Sequence, residues 1–298
     1  MDHLTALKVF RQVVERGGFA AASRQMGLSP AAVSKNIAEL ETHLAARLLN
    51  RTTRRMSLTE AGARYYEQVA RILDDLSEAE QSLGPLQHEP SGTLRVSAPM
   101  SLSLVRLSNA MPRFLERYPQ VSLDLNLEDR RIDIVKEGYD LAIRGTDRLE
   151  DSSLVARKLM TLDHVLCGAP AYFERHGVPA SPLALRDMEC VQFTLSGHAD
   201  EWTFKRGEQA ERVPVRGRYK VSSSLAVRDA LRAGFGVSLV PRVYVQQDLD
   251  SGALQAVLRD WKPDETYAYA VYPSRRHMVA KVRAFVDFLL EELGAPRE

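Results

Sequence analysis

Residues 17–41 read GGFAAASRQMGLSPAAVSKNIAELE, and the organisation of the amino-terminal region follows from this stretch. Ser29-Pro30 opens a helix on two counts. A serine hydroxyl satisfies orphan backbone donors, and proline suits the first helical position, where an N–H is not needed. From there Val33, Ile37, Leu40 and Leu44 recur on one side, which is the expected buried stripe. Ala31, Ser34 and Lys35 fall off that stripe near its amino-terminal end. Just upstream, a short helix turns Phe19, Ala22 and Met26 inward and stops at Gly27, which supplies the turn. Two helices joined by a tight glycine turn, the second exposing small and basic residues, make a helix-turn-helix. Small side chains let such a helix sink into a major groove, and Lys35 can reach a base edge or a phosphate.

Upstream, Leu4, Leu7, Phe10 and Val14 repeat at helical spacing until Gly17-Gly18. Downstream, residues 51–62 read RTTRRMSLTEAG. Thr52, Thr53, Met56 and Leu58 favour a β-hairpin wing, Arg51, Arg54 and Arg55 gather positive charge there, and Ser57 or Thr59 caps the next helix. A three-helix bundle with a solvated basic face is the competing reading. The arginine-rich hairpin beside the recognition helix weighs against it, because clustered arginines of this kind position phosphates. The charge balance points the same way. Up to Gly62 there are nine basic and five acidic residues, a net +4, so the whole-chain +1 leaves −3 for the remainder. A basic head on an acidic body suggests that the head alone meets an anionic polymer.

After Thr59 apolar residues alternate in steps of three and four. Tyr65, Ile72, Ala79 and Leu86 form one series; Val69, Leu76 and Leu83 form the other. Glu67, Arg71, Asp75 and Glu78 fill the outside. This is a heptad seam suited to pairing two subunits, against the alternative of a helix packed on its own domain. Gly84-Pro85 ends it, and Pro90, Ser91 and Gly92 mark a linker.

From Thr93 onward strands and helices alternate. TLRVSA reads as a strand, followed by a helix from about 101 to 118 kinked at Pro112. VSLDLNL, RIDIVKEG and DLAIR read as strand, helix and strand, giving an α/β unit with a mostly parallel sheet. A second unit starts near Val165, and the strand TYAYAVYP with the final amphipathic helix (Val279, Val282, Phe285, Val286, Leu289) returns to the first. Two lobes joined by two crossovers leave a cleft, and ligands favour the carboxyl ends of such strands. Ser101 and Ser223 each sit where a strand gives way to a helix, one per lobe. Free N–H groups there suit an anionic or strongly polar molecule, although a plain helix cap explains either serine taken singly.

The motifs of the head, with LLNRTTRRMSLTEAG following the first stretch, resemble the signature of LysR-type transcriptional regulators. The resemblance continues through LRVSAPMS, EGYDLAIR, DSSLVARKL, GAPAYF and GFGVSLVP. It implies a winged helix-turn-helix over 1–59, a linker (dimerisation) helix and hinge over 60–92, and an effector-binding domain over 93–298. That domain would be a periplasmic-binding-protein-like pair of α/β lobes, lobe I about 93–163 and 267–298, lobe II about 164–266. The implied DNA contacts are Ser29, Pro30, Ala31, Ser34 and Lys35 in the groove and Arg51, Thr53, Arg54 and Arg55 on the wing. The implied effector contacts are Pro99, Met100, Ser101, Arg144, Phe193 and Ser223. Double-stranded DNA with an interrupted palindromic operator, a small-molecule effector, a homodimer pairing into a homotetramer, and contact with RNA polymerase are the implied partners. In the head the proline comes one position earlier than in many members. Ala45 stands where the family often has glycine and Leu49 where it often has phenylalanine, both read as adjustments of core packing.

Other classes find little support. There is no GxSxG elbow, HExxH, GxGxxG or Walker pattern, so no catalytic, metal or cofactor site is expected. Cys167 and Cys190 make no CxxC pair and read as buried free thiols of a reducing compartment. No signal peptide or membrane-length apolar run is evident, and the expected location is the cytoplasm. Two readings compete with the regulator. One is a solute-binding clamshell or enzyme carrying an appended DNA-binding head; the other is an architectural DNA-binding protein, which needs no cleft.

Overall fold

The amphipathic stripes of the helices between His3 and Leu73 close on one small core. The computed structural model describes residues 2–51, 56–81, 89–130, 132–146, 154–273 and 279–294, with the side chains of 51, 75 and 77–81 excepted. It divides into two units, Met1–His88 and Glu89–Glu298. In the first, α1 (His3–Glu15), α2 (Phe19–Met26) and α3 (Pro30–His43) bury Ala6, Val9, Phe10, Val13, Ala22, Val33, Ile37 and Leu40 together. The buried face of α1 is turned slightly from the expected one, so Leu4 is exposed. Strands β1 (Leu49–Arg51) and β2 (Met56–Leu58) pair antiparallel, Leu49 opposite Leu58. The expected strand residues Thr52 and Thr53 lie outside the described residues.

Helix α4 (Glu60–Gln81) divides its apolar residues between two uses. Val69 and Leu73 enter the core of the head, and Tyr65 and Tyr66 pack against it. Arg11 ties α1 to it through Asp74 at 2.7 Å. Part of the expected heptad seam is therefore spent within the chain's own head. Ile72 remains 57% exposed, and Leu76, half-buried, takes no part in that core. The side chain of Ala79, together with Leu83, Gly84, Pro85 and Leu86, lies outside the described residues. Ala45 also departs from its expected role. It is exposed, and its φ of 49° is left-handed, so the position is special for its backbone and not for core packing.

The second unit begins with β3 (Gly92–Ala98). The expected helix over 101–118 is broken. α5 (Met100–Leu102) passes into a π turn (Ser103–Leu107), and α6 (Met111–Arg117) starts afresh. Pro112 lies in the first turn of α6, where its missing N–H costs nothing, so it starts a helix and does not kink one. Next come β4 (Val121–Leu127), the single turn α7 (Ile134–Glu137), β5 (Leu141–Thr146) and β6 (Leu154–Leu162). The second lobe holds β7 (His164–Gly168), α8 (Pro170–His176), β8 (Gln192–Phe193), the hairpin of β9 (Glu201–Arg206) and β10 (Gln209–Pro214), then β11 (Lys220–Val221) and α9 (Ser224–Arg232). It finishes with β12 (Val237–Pro241), α10 (Arg242–Ser251), β13 (Gln255–Ala256) and β14 (Lys262–Pro263).

β15 (Thr266–Pro273) and α11 (Ala280–Gly294) return to the first lobe, whose sheet has the order β4-β3-β5-β15-β6. Only β3 with β4 and β3 with β5 are parallel; β15 enters between β5 and β6 antiparallel to both. The sheet is thus mixed where a mostly parallel one was expected, because its last strand arrives from the other lobe running in reverse. In the second lobe β12 and β13 also flank β7 antiparallel. Buried Lys281 on α11 donates to Thr93 O (2.6 Å) and Asp140 Oδ2 (3.0 Å), fastening the returning helix to β3. Among the described residues no helix is long and apolar enough to cross a membrane, and no group of three or more His, Cys, Asp or Glu is placed to hold a metal.

Candidate functional site

In the first unit the start of α3 is exposed. Gly27, at φ 64°, makes the left-handed turn that a side chain would strain. Ser29 caps α3 by accepting from Ala32 N–H at 3.1 Å, with Pro30 following it. Ser29, Pro30, Ala31 and Lys35 are exposed and Ser34 is half-buried, while Val33, Ile37 and Leu40 face the core. The Lys35 side chain is 75% exposed, with only a loose 3.9 Å approach to Glu39. The expected contacts on α3 therefore share one outward surface. Thr53, Arg54 and Arg55 lie outside the described residues, as does the Arg51 side chain.

Three residues that motif reading passed over or left ambiguous build the root of the wing. Glu41 is buried, and its Oε1 accepts from Leu48 N–H (2.9 Å) and Leu49 N–H (3.2 Å), where β1 begins. Thr59 Oγ1 donates to Arg47 O at 2.7 Å and accepts from Gly62 N–H at 2.9 Å, which makes Thr59 and not Ser57 the cap of α4. Gly62 lies so close to the Leu48 carbonyl that an added Cβ would stand 2.0 Å from its oxygen. A signal for Glu41 existed. It sits four residues after Ile37 on the buried stripe, and a carboxylate there must find donors.

The second unit offers a concavity of about 910 Å³. Pro99, Ser101, Arg144 and Phe193 line it, as the sequence suggests. Met100 and Ser223 lie outside its lining: Met100 is 43% exposed, and Ser223 Oγ caps α9 by accepting from Ala226 N–H at 3.4 Å. The next residue, Ser224, faces the space instead. Ser101 does not cap its helix. Pro99 holds the cap position, and the Met100 N–H donates to Asp129 Oδ1 at 3.0 Å. The chain itself thus supplies the anion for that helix start. Ser101 is 3% exposed, and its Oγ is buried without a hydrogen-bond partner.

The wall carries Glu128, Asp129, Arg130 and Arg144, with apolar Leu102, Ile134, Phe193, Trp202 and Val227. Arg130 reaches Glu128 and Glu137, both at 2.5 Å, and that pairing raises the Arg130 pKa and lowers that of Glu137. Burial raises the Asp129 carboxyl. Arg144 donates to Ile143 O at 2.9 Å and approaches Ser97 Oγ at 3.4 Å. His164, at the start of β7, also contributes to the lining, with its Nδ1 shut from solvent. Its ring meets His198 edge-on at 5.4 Å, and burial together with His198 brings its pKa down to about 4. Cys167 and Cys190 are buried free thiols, both pushed up to about 12 by burial, so neither is a thiolate at neutral pH.

Comparison with known proteins fits both sites. Residues 4–63 match the family model of the bacterial regulatory helix-turn-helix protein, lysR family, and residues 87–294 match the LysR substrate binding domain. The probable HTH-type transcriptional regulator LtrA of Klebsiella pneumoniae is 34% identical over 99% of this chain and 96% of its own. The solved structure of CrgA, a LysR-type regulator from Neisseria meningitidis, is 34% identical with a TM-score of 0.62, covering 98% of this chain and 99% of that one. The full-length virulence activator AphB of Vibrio cholerae is 30% identical with a TM-score of 0.61, covering 97% and 99%. These relatives are named as regulators and not as enzymes. The first unit carries the helix-turn-helix and the second a ligand-sized cavity, and this chain belongs to the LysR family of transcriptional regulators, with a DNA-binding helix-turn-helix and an effector-binding domain.

Proposed function

We propose that the chain works in the cytoplasm as a homodimer, pairing further into a tetramer, on an interrupted palindromic operator. A small molecule held in the cavity of the second unit controls its DNA binding or its dealings with RNA polymerase. The division is that of the sequence: head over 1–59, dimer helix and hinge over 60–92, effector domain over 93–298. The observation that carries this reading is the cavity, which is of ligand size and is lined by both polar and apolar side chains. Regulation requires the effector to prefer one arrangement of the lobes, since equal affinity for both shifts nothing. Ser29, Pro30, Ala31, Ser34 and Lys35 read the groove, and Arg51, Thr53, Arg54 and Arg55 hold the backbone.

The test is a footprint of the full chain on the region upstream of its own gene. Two protected half-sites are expected. In Arg54→Ala and Arg55→Ala variants, affinity should fall on all sequences alike, and the salt dependence should flatten by about one unit per lost phosphate contact. An unchanged salt slope removes the wing from the interface, and a single protected half-site removes the dimeric operator. The pairing face of α4 is supported by Ile72, exposed, and by Leu76, which takes no part in the core of its own head. Leu76→Asp should dissociate the dimer while leaving the head folded. Sedimentation at the wild-type rate would assign α4 to its own subunit alone.

A further inference from the structure

Arg11 is one of the nine basic residues of the head, and the fold spends it inside the unit. Its Nε donates to Glu15 Oε1 at 2.6 Å, one turn further along α1, and its Nη1 donates to Asp74 Oδ1 on α4 at 2.7 Å. Glu15 is held in turn by Gln12 Nε2 at 3.0 Å. The guanidinium is thus set in place by its own helix before it meets Asp74, and little side-chain freedom is lost in making the cross-link. The two side chains are only 20% and 26% exposed, so water and salt screen this pair less than one on open surface.

The place of this pair along α4 gives it a use. The first turn of α4 is fixed by Thr59, which caps it while bonding Arg47 O, and by Gly62 against Leu48. Val69 and Leu73 then enter the core, and Leu73 is the last described residue of α4 to do so. Apolar contact is non-directional and lets a helix rock about its line of contact. Asp74 follows directly, about 21 Å along the helix from Glu60 at about 1.5 Å per residue. Its charge-assisted bond to Arg11 is directional. The other polar link between these helices, Tyr66 Oη to Glu15 Oε1, is long at 3.5 Å. Helix α1 also packs against α3, where its Val9, Phe10 and Val13 share a core with Val33, Ile37 and Leu40. The path from the recognition helix to α4 therefore runs through α1, and Arg11 closes it. Over the length from Glu60 to Asp74, a tilt of about 10° is a displacement of about 4 Å, comparable with the rise of about 3.4 Å per base step of DNA.

We infer that Arg11 and Asp74 are positioning residues of DNA recognition: by fixing the angle between α4 and the head, they set the half-site spacing that the dimer accepts. The inference rests on the reading of α4 as the pairing helix of a dimer on two half-sites, and the test separates the two. Duplexes carrying the two half-sites protected upstream of the chain's own gene are made with the natural spacing and with the spacing changed by one and by two base pairs. A further duplex carries one half-site alone. Affinities of the full-length wild type, Asp74→Ala, Asp74→Asn and Asp74→Glu are measured by fluorescence anisotropy. Two base pairs turn one half-site by about 70° around the duplex, and the wild type should lose about tenfold or more in affinity. Asp74→Ala and Asp74→Asn should lose about threefold or less on the same change, while binding the single half-site as the wild type does. Asp74→Glu, which keeps the carboxylate, should restore the wild-type dependence. A wild-type dependence in both Asp74→Ala and Asp74→Asn would overturn the inference and leave the dimer standing. Weaker binding of both to the single half-site would overturn it too, since the pair would then be holding the head itself together. Failure of Asp74→Glu to restore the dependence would take the role away from the ion pair. A wild-type chain that gains nothing from the second half-site, or binds every spacing alike, would overturn the dimeric operator and the inference with it.

Discussion

Among the carboxylates that accept hydrogen bonds from backbone N–H groups, Glu41 in the first unit and Asp129 in the second make a contrast that separates the two sites. Glu41 is buried in the head and takes two N–H groups, those of Leu48 and Leu49, at the root of the wing. Asp129 is half-buried at the rim of the cavity and takes one, that of Met100. The first fixes the start of β1 in a unit that must meet a rigid duplex. The second cancels an electropositive helix start in a concave space that must accept a particular small molecule.

The sharpest way to break that contrast is to remove each carboxylate. Glu41→Ala leaves two buried N–H groups unpaired and should cost about 2–4 kcal/mol of stability, whereas Asp129→Ala, freeing one N–H near solvent, should cost about 1 kcal/mol or less. Denaturant melts of the full chain measure both. Equal losses would show that Asp129 is as structural as Glu41. DNA affinity should follow the same division, falling for Glu41→Ala and holding for Asp129→Ala. Glu41→Gln, which keeps one acceptor, should recover part of the loss.

The two units also differ in how much of them the sequence discloses. In the head, the proposed recognition surface comes from one run of seven residues at the start of one helix, so spacing alone places Ser29, Pro30, Ala31, Ser34 and Lys35 together on it. The wall of the cavity draws on segments from Pro99 to Val271, and no local pattern brings His164 to Ser101. The sequence pattern still identifies β3, which leads into the helix of Ser101, and β7, which begins with His164. It does not say that β15 runs in reverse, that the chain passes into a π turn at Ser103, or that Asp129 reaches back to Met100. Ser223 illustrates the same limit. The position is a helix start as read, but its hydroxyl is consumed by the cap, and the neighbouring Ser224 faces the cavity.

A second prediction sharpens the contrast through pH. His164 is held to about 4 in the folded chain by burial and by His198, against an ordinary value of 6.5. Above pH 6.5 the ring is neutral in folded and unfolded chains alike, and this group sets no penalty. Between 6.5 and 4 the unfolded chain takes up a proton that the folded chain refuses, so stability falls as pH falls and levels off below 4. The loss at pH 5 should be on the order of 2 kcal/mol. Urea melts at pH 7.5 and pH 5.0, on the wild type and on His164→Phe, isolate it: the drop should shrink by about that amount in the variant. An equal drop in both would mean that the ring reaches solvent and its neutral state is not enforced.

The smallest effect expected is also the one that distinguishes backbone from packing. Ala45 follows α3 with φ at 49°, a left-handed conformation that places its Cβ against the backbone. The Ala45 N–H donates to Thr42 O at 3.2 Å and the Ala46 N–H to Glu41 O at 3.1 Å, so the last turn of α3 closes through this residue. That is the geometry glycine favours after a helix. Ala45→Gly relieves the strain but gives the unfolded chain more freedom, and the two terms oppose each other. Relief is the larger, and a net gain of about 0.5–1 kcal/mol should follow. The side chain is exposed and fills no core, so no cavity offsets this gain. A denaturant midpoint that moves down would mean that the methyl group packs in the folded protein, and Ala45 would return to being a matter of packing. A midpoint that moves up, with DNA affinity unchanged, would show that the bend between Glu41 and the wing tolerates either residue for function and prefers glycine for stability alone.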